Sequence, residues 1–154
     1  MRLKIVTSPH QLKFIELTEI EKAQLAMATD TDGCITICYH NNRDYAYPTY
    51  VFSGATILPI QLWKKYGGTL QNYRLHLYKW KINRWKGLKD FLRAISPYLK
   101  LKQKQAEIAL RMLEFILKKP VNWKKRTLEL ATKLKRENTE YKHANISLES
   151  LKNG

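Results

Sequence analysis

The sequence predicts an α+β domain in which one small antiparallel sheet of four strands is covered on one face by helices. Three observations predict it. The chain reads helix, two strands, helix, two strands, helix, so that two similar α-β-β halves follow one another. Its 154 residues suit a single domain, and at 44% hydrophobic it has enough apolar material for a core. No apolar run approaches the roughly eighteen residues that span a bilayer.

Each element has a local reason. Glu19 to Asp30 holds strong helix formers, acidic residues in its first turn and Thr18 as N-cap, with no Gly or Pro inside. Cys34 to His40 is β-branched and aromatic, Asn41 to Asp44 reads as a turn, and Tyr45 to Ser53 is extended again, which makes a hairpin. Gly54 breaks that strand, and Ile57 to Tyr66 forms a short helix stopped by Gly67 and Gly68. A second hairpin joins Thr69 to Tyr73 with Leu75 to Asn83. Leu88 to Ser96 is helical up to Pro97, and Lys102 to Leu117 is an amphipathic helix ending before Pro120.

The core of this single domain covers about residues 19–117. A basic helical extension, about 118–154, sets Lys118, Lys119, Lys124, Lys125, Arg126, Lys133, Lys135 and Arg136 around Trp123, Leu128, Leu130, Ala131 and Leu134, with a tail from Asn138. Trp63, Trp80 and Trp85 read as core, and Trp123 as the packing residue of the extension.

Lys and Arg number 28 against 13 Asp and Glu, a formal charge of +15. Such a surplus points to a polyanion, nucleic acid first, because each cation that meets a phosphate releases counterions. It excludes a disordered tail, since the apolar content is too high. Charge alone leaves two classes open: an enzyme acting on nucleic acid, or a basic protein that only binds it. Met1 to His10 lacks an apolar signal stretch, so the expectation is an intracellular protein with no membrane partner; bacterial or archaeal cytoplasm and an organelle are equal alternatives. Cys34 and Cys38 lie on one strand about 13 Å apart, too far to bridge, and are expected as thiols. The same spread excludes zinc shared by Cys34, Cys38 and His40.

A period of two sorts the strands into faces. Ile35 and Ile37 turn to the helices, while Thr36, Cys38 and His40 turn away. The outer set continues through Arg43 in the turn, then Tyr45, Tyr47, Thr49 and Ser53, then Thr69, Gln71 and Tyr73, and finally Lys79, Lys81 and Asn83. That polar, basic and aromatic face suits a β-ribbon in a major groove of double-stranded DNA.

The chain has four aspartates, and two stand together in Asp30-Thr31-Asp32-Gly33, where the first helix meets the first strand. Two carboxylates at the negative end of a helix dipole are costly unless something offsets them. They either shape the turn or hold a divalent cation, for which carboxylate oxygen is a hard ligand suited to Mg²⁺, with Mn²⁺ or Ca²⁺ as substitutes. A metal bound in that way fits phosphodiester hydrolysis.

Leu25-Ala26-Met27-Ala28-Thr29-Asp30-Thr31-Asp32-Gly33 resembles the LAGLIDADG motif of the homing endonucleases, and Pro97-Tyr98-Leu99-Lys100-Leu101-Lys102-Gln103-Lys104-Gln105-Ala106 resembles that family's segment after the second hairpin. Gly67-Gly68-Thr69 resembles its turn into the third strand, so the resemblance covers about residues 19–117. It implies an αββαββα fold whose sheet forms a saddle on DNA. A single motif implies a homodimer paired through the first helix, with Ala23, Met27, Asp30 and Thr31 at the interface. It implies Asp32 as catalytic metal ligand with the Thr31 backbone carbonyl beside it, and Lys102 as the catalytic cation near the attacking water. Met27 stands where the family has a packed glycine, which implies a wider helix pair. Ser53, Gly54 and Thr56 fall where some members place a water-orienting amide. The implied activity is a metal-dependent double-strand break in a long, pseudo-palindromic site, leaving short 3′ overhangs. The alternatives are a maturase-like protein that binds intron RNA and a DNA-binding relative without cleavage.

Overall fold

A computed structural model describes residues 4–7, 14, 16–54 and 57–152, with 4–7 and 141–152 as backbone only. Strand β1 (Lys4–Thr7) comes first, then helix α1 (Glu19–Asp32) and the hairpin of β2 (Gly33–Tyr39) and β3 (Ala46–Gly54). Helix α2 (Leu58–Tyr66) leads to the hairpin of β4 (Thr69–Arg74) and β5 (Leu77–Ile82), followed by α3 (Trp85–Ile95), α4 (Gln103–Lys118) and α5 (Trp123–Lys152). The expected α+β order is present. Thr56 lies outside the described residues.

The sheet has five strands in the order β1-β4-β5-β3-β2, one more than the sequence predicts. Four residues are too few to show a period, but β1 closes the free edge of β4 with Val6 opposite Leu70 and Thr7 opposite Thr69. Between the hairpins β3 pairs with β5, Tyr50 facing Ile82 and Phe52 facing Trp80.

Boundaries shift for local reasons. α1 runs two residues past Asp30 because the Thr31 hydroxyl donates back to the Met27 and Ala28 carbonyls, both at 3.1 Å. The strand after it starts at once at Gly33, where a Cβ would lie 2.8 Å from Thr29 Cα and 2.9 Å from Tyr50 Oη, so only glycine lets the helix end rest on β3. α3 starts at Trp85, three residues before the periodic signal, since Gly87 inside it weakens the helical pattern. The extension is one helix with no break at Asn138, consistent with a stretch that lacks Gly and Pro.

The core lies between the inner sheet face and the helices. Trp80, Tyr50, Phe91 and Phe14 are fully buried, and the Trp80 indole satisfies its N–H on the Gly67 carbonyl at 2.7 Å. α5 packs on α4 and the near edge of the sheet: Thr127 Oγ1 accepts from the Ala46 amide at 3.1 Å, and Asn138 donates to the Ile35 carbonyl at 3.1 Å. No helix among the described residues is long and apolar enough to cross a membrane.

Candidate active site

α1 delivers two carboxylates to one corner and gives them opposite environments. Asp30 is 7% exposed, and its carboxylate accepts the backbone N–H groups of Lys100, Leu101 and Lys102 at 2.7, 3.1 and 3.0 Å. This corrects the expectation of Asp30 at a subunit interface: the side chain is turned into its own chain, where three amides offset its charge. Asp32 is exposed, its nearest side-chain partner being the Thr31 hydroxyl at 3.4 Å. The last turn of α1 has no basic residue, and among the described residues no ion pair takes up Asp32.

Lys102, expected as a cation near the reacting phosphate, is only 8% exposed. Its Nζ donates to the carbonyls of Thr29, at 2.9 Å, and Gly33, the residues on either side of Asp30 to Asp32. Burial pushes this ammonium below the usual lysine range, while the charges of Cys34, Asp30 and Asp32 pull it back up. Beneath them Thr29 Oγ1 donates to the Leu25 carbonyl at 2.8 Å and meets Tyr50 Oη at 2.9 Å. Burial raises the Tyr50 phenol above its ordinary value, so it stays protonated.

One chain therefore offers a metal the exposed Asp32 and backbone oxygen near it. Among the described residues no group of three or more His, Cys, Asp or Glu side chains could hold an ion. That donor set is too poor for zinc and fits Mg²⁺, which takes one or two carboxylates and fills its shell with water and phosphate.

The sheet register confirms which side chains share the outer face. Thr36 stands opposite Thr49 and Cys38 opposite Tyr47. Val51 lies between Cys34 and Lys81, and Lys81 faces Thr69. Lys79 sits between Ser53 and Gln71 and lies over the Tyr73 ring at 4.5 Å. His40, Arg43 and Asn83 are exposed at the rim. Two residues of that face are corrected. Tyr45 is 9% exposed because it stacks on His40, ring centroids 4.5 Å apart, and is capped by Trp123 of α5 at 4.9 Å. Thr49 has the expected orientation but sinks to 8% exposure among its neighbours. Cys34 was missed; it is exposed on this face next to Asp32, and its alternation with Thr36 was the available signal.

α1 turns a second apolar stripe outward. Met27 is 71% exposed, with Ala23 and Thr31 exposed along the same line at helical spacing. Ile20, also 71% exposed, extends the stripe one turn towards the N-terminus and was not foreseen.

Solved structures share this architecture. The homing endonuclease I-CvuI, in complex with its target and calcium, superposes with a TM-score of 0.66 at 21% identity over 77% of this chain and 82% of its own. The chain has the fold of the LAGLIDADG homing endonucleases. The homing endonuclease I-TnaI matches at a TM-score of 0.62 and 17% identity over 80% of this chain and 99% of its own. The LAGLIDADG meganuclease I-AabMI, bound to uncleaved DNA, gives 0.58 and 16% over 71% of this chain but 43% of its own. No family model and no curated protein sequence matches the chain.

Proposed function

We propose that two copies of this LAGLIDADG-fold chain form an endonuclease that hydrolyses both strands of a long, pseudo-palindromic DNA duplex and leaves short 3′ overhangs. The observation that carries the reading is the unequal fate of the two aspartates: Asp30 is consumed by its own chain, while Asp32 stays in solvent beside Lys102 at the edge of a polar sheet face. An exposed carboxylate at the negative end of a helix, with no direct ion pair among the described residues, attracts a cation.

Asp32 and the Thr31 backbone carbonyl would hold Mg²⁺, with Mn²⁺ or Ca²⁺ as substitutes. When bound, the metal supplies charge stabilisation at phosphorus and lowers the pKa of its water. The chain's own part is to hold the phosphate near Asp32 and to set the Lys102 ammonium against the charge that develops on it. Ser53 and Gly54, at the end of β3, are the described candidates for orienting the attacking water. Lys79, Lys81 and Gln71 present donors suited to guanine and adenine edges in a major groove.

Pairing is supported by the outward stripe of Ile20, Ala23, Met27 and Thr31, apolar surface that one chain leaves open. Length agrees, since the chain spans most of the shorter neighbours and under half of I-AabMI.

The test is a duplex library carrying randomised target segments, incubated with Mg²⁺ or with EDTA and sequenced at the new ends. Metal-dependent double-strand ends are expected, and Asp32→Asn should lower their yield about 1,000-fold or more, the several kcal/mol that a metal contributes to charge stabilisation. Cutting that survives Asp32→Asn, or tight RNA binding with no cutting, would end the reading.

A further inference from the structure

We propose that Asp30 is a positioning residue for Lys102: its buried carboxylate fixes where the lysine stands and so where a positive charge meets the phosphate. The geometry rests on hydrogen bonds alone, and its catalytic consequence rests on the nuclease reading above.

Three consecutive amides, of Lys100, Leu101 and Lys102, point at one side chain some seventy residues earlier in the sequence. Oδ2 takes Lys100, and Oδ1 takes both Leu101 and Lys102. Successive N–H groups of this kind make an anion-binding concavity that a carboxylate, with two oxygens and a full charge, fills better than a hydroxyl. They lie in the segment that leads into α4, whose first turn has no acidic residue and whose N-cap, Lys102, makes no side-chain cap hydrogen bond. From the same segment the Lys102 side chain turns back and donates to the Thr29 and Gly33 carbonyls.

The contacts thus close a ring: the end of α1, the Asp30 carboxylate, the three amides, the Lys102 stem, and the carbonyls at the end of α1 again. Asp32 lies in the chain between the two anchor points, Thr29 in the last turn of α1 and Gly33 at the start of β2. A lysine is a point charge on a flexible stem, and a displacement of about 1 Å at a reacting centre can cost about 100-fold in rate. Anchoring the lysine at its backbone by Asp30 and at its tip by two carbonyls removes that freedom. A merely structural tie would hold the segment before α4 in place and leave the rate of bound substrate alone, so the two roles separate in a measurement.

Asp30→Asn keeps an oxygen for two of the three amides, whereas Asp30→Ala keeps none. Single-turnover cleavage of bound duplex should therefore fall about 10-fold in Asp30→Asn and about 100-fold in Asp30→Ala, with duplex affinity in Ca²⁺ changed by less than about twofold. In a Lys102→Met background the same substitutions should alter the residual rate less than about threefold, because Asp30 acts through that lysine. Amide exchange in the DNA-free protein reads the tether without cleavage: Lys100, Leu101 and Lys102 should exchange faster in Asp30→Asn, and this measurement stands if Asp30→Ala does not fold. Wild-type rates in Asp30→Asn, or its full loss repeated on Lys102→Met, would overturn the proposal. A wild-type protein that cuts no duplex overturns the nuclease reading, and unchanged exchange at the three amides overturns the tether, so the two failures are distinguishable.

Discussion

α1 opens the first α-β-β half and α3 follows the second; the two helices pack on one another, yet they bury different things. α3 is a plain amphipathic cover. Leu88, Phe91, Leu92 and Ile95 are fully buried on one face, and its solvent face carries charge. α1 buries Leu25, Ala26, Thr29 and Asp30 on one side and exposes Ile20 and Met27 on the other. Apolar residues on both faces blur its amphipathic period, so α1 looks the weaker helix although it carries both aspartates of the candidate site. The difference teaches that one helix commits its apolar surface to the core alone, while the other leaves part of it open beside the candidate site.

The sharpest way to break that contrast is to cut one helix on its buried face and the other on its open face. Phe91 packs against Phe14, Tyr50 and Trp80, with ring centroids 5.0, 4.7 and 6.0 Å away. Phe91→Ala should cost about 3–5 kcal/mol of stability, read by urea or thermal unfolding. Met27→Glu should leave the folded subunit within about 0.5 kcal/mol, because the side chain touches mostly water. It should instead weaken the pair by about 100-fold or more, since a two-fold axis sets the new carboxylates against each other. Sedimentation over a concentration series measures this, and an unchanged association constant would move the interface away from α1.

The same contrast explains what could be seen in the sequence. Hairpins were legible because β-branched and aromatic runs flank Asn41 to Asp44, and α3 and α4 because one face repeats. β1 was not, since its strand character comes from the free edge of β4 rather than from four residues of pattern. At the site, the sequence presents Asp30 and Asp32 as equivalent neighbours. What separates them is the row of amides at residues 100–102, which no local pattern around the motif reveals. Period two gave the face of Tyr45 and Thr49 correctly but not their burial, which Trp123 of a distant helix and the pleat of the sheet decide.

A smaller effect sharpens the comparison at the other end of α1, where α3 has no counterpart. Glu21 accepts the Tyr66 hydroxyl at 2.8 Å and pairs with Lys65 at 3.1 Å, tying the first turn of α1 to α2. The Tyr66 hydrogen bond, then that from Lys65, lowers the Glu21 carboxyl from 4.5 to about 2. A carboxyl more acidic in the folded than in the unfolded chain stabilises fully above its unfolded value and loses that contribution as the pH falls through its folded one. Wild type and Glu21→Gln should therefore differ most in melting temperature near neutral pH, where the glutamine lacks the charge that Lys65 pairs with. The gap should close between about pH 4.5 and 2 as Glu21 takes up its proton. A gap that stays constant across that interval would mean the tie to α2 rests on packing of Tyr66 alone, and α1 would then be anchored as α3 is.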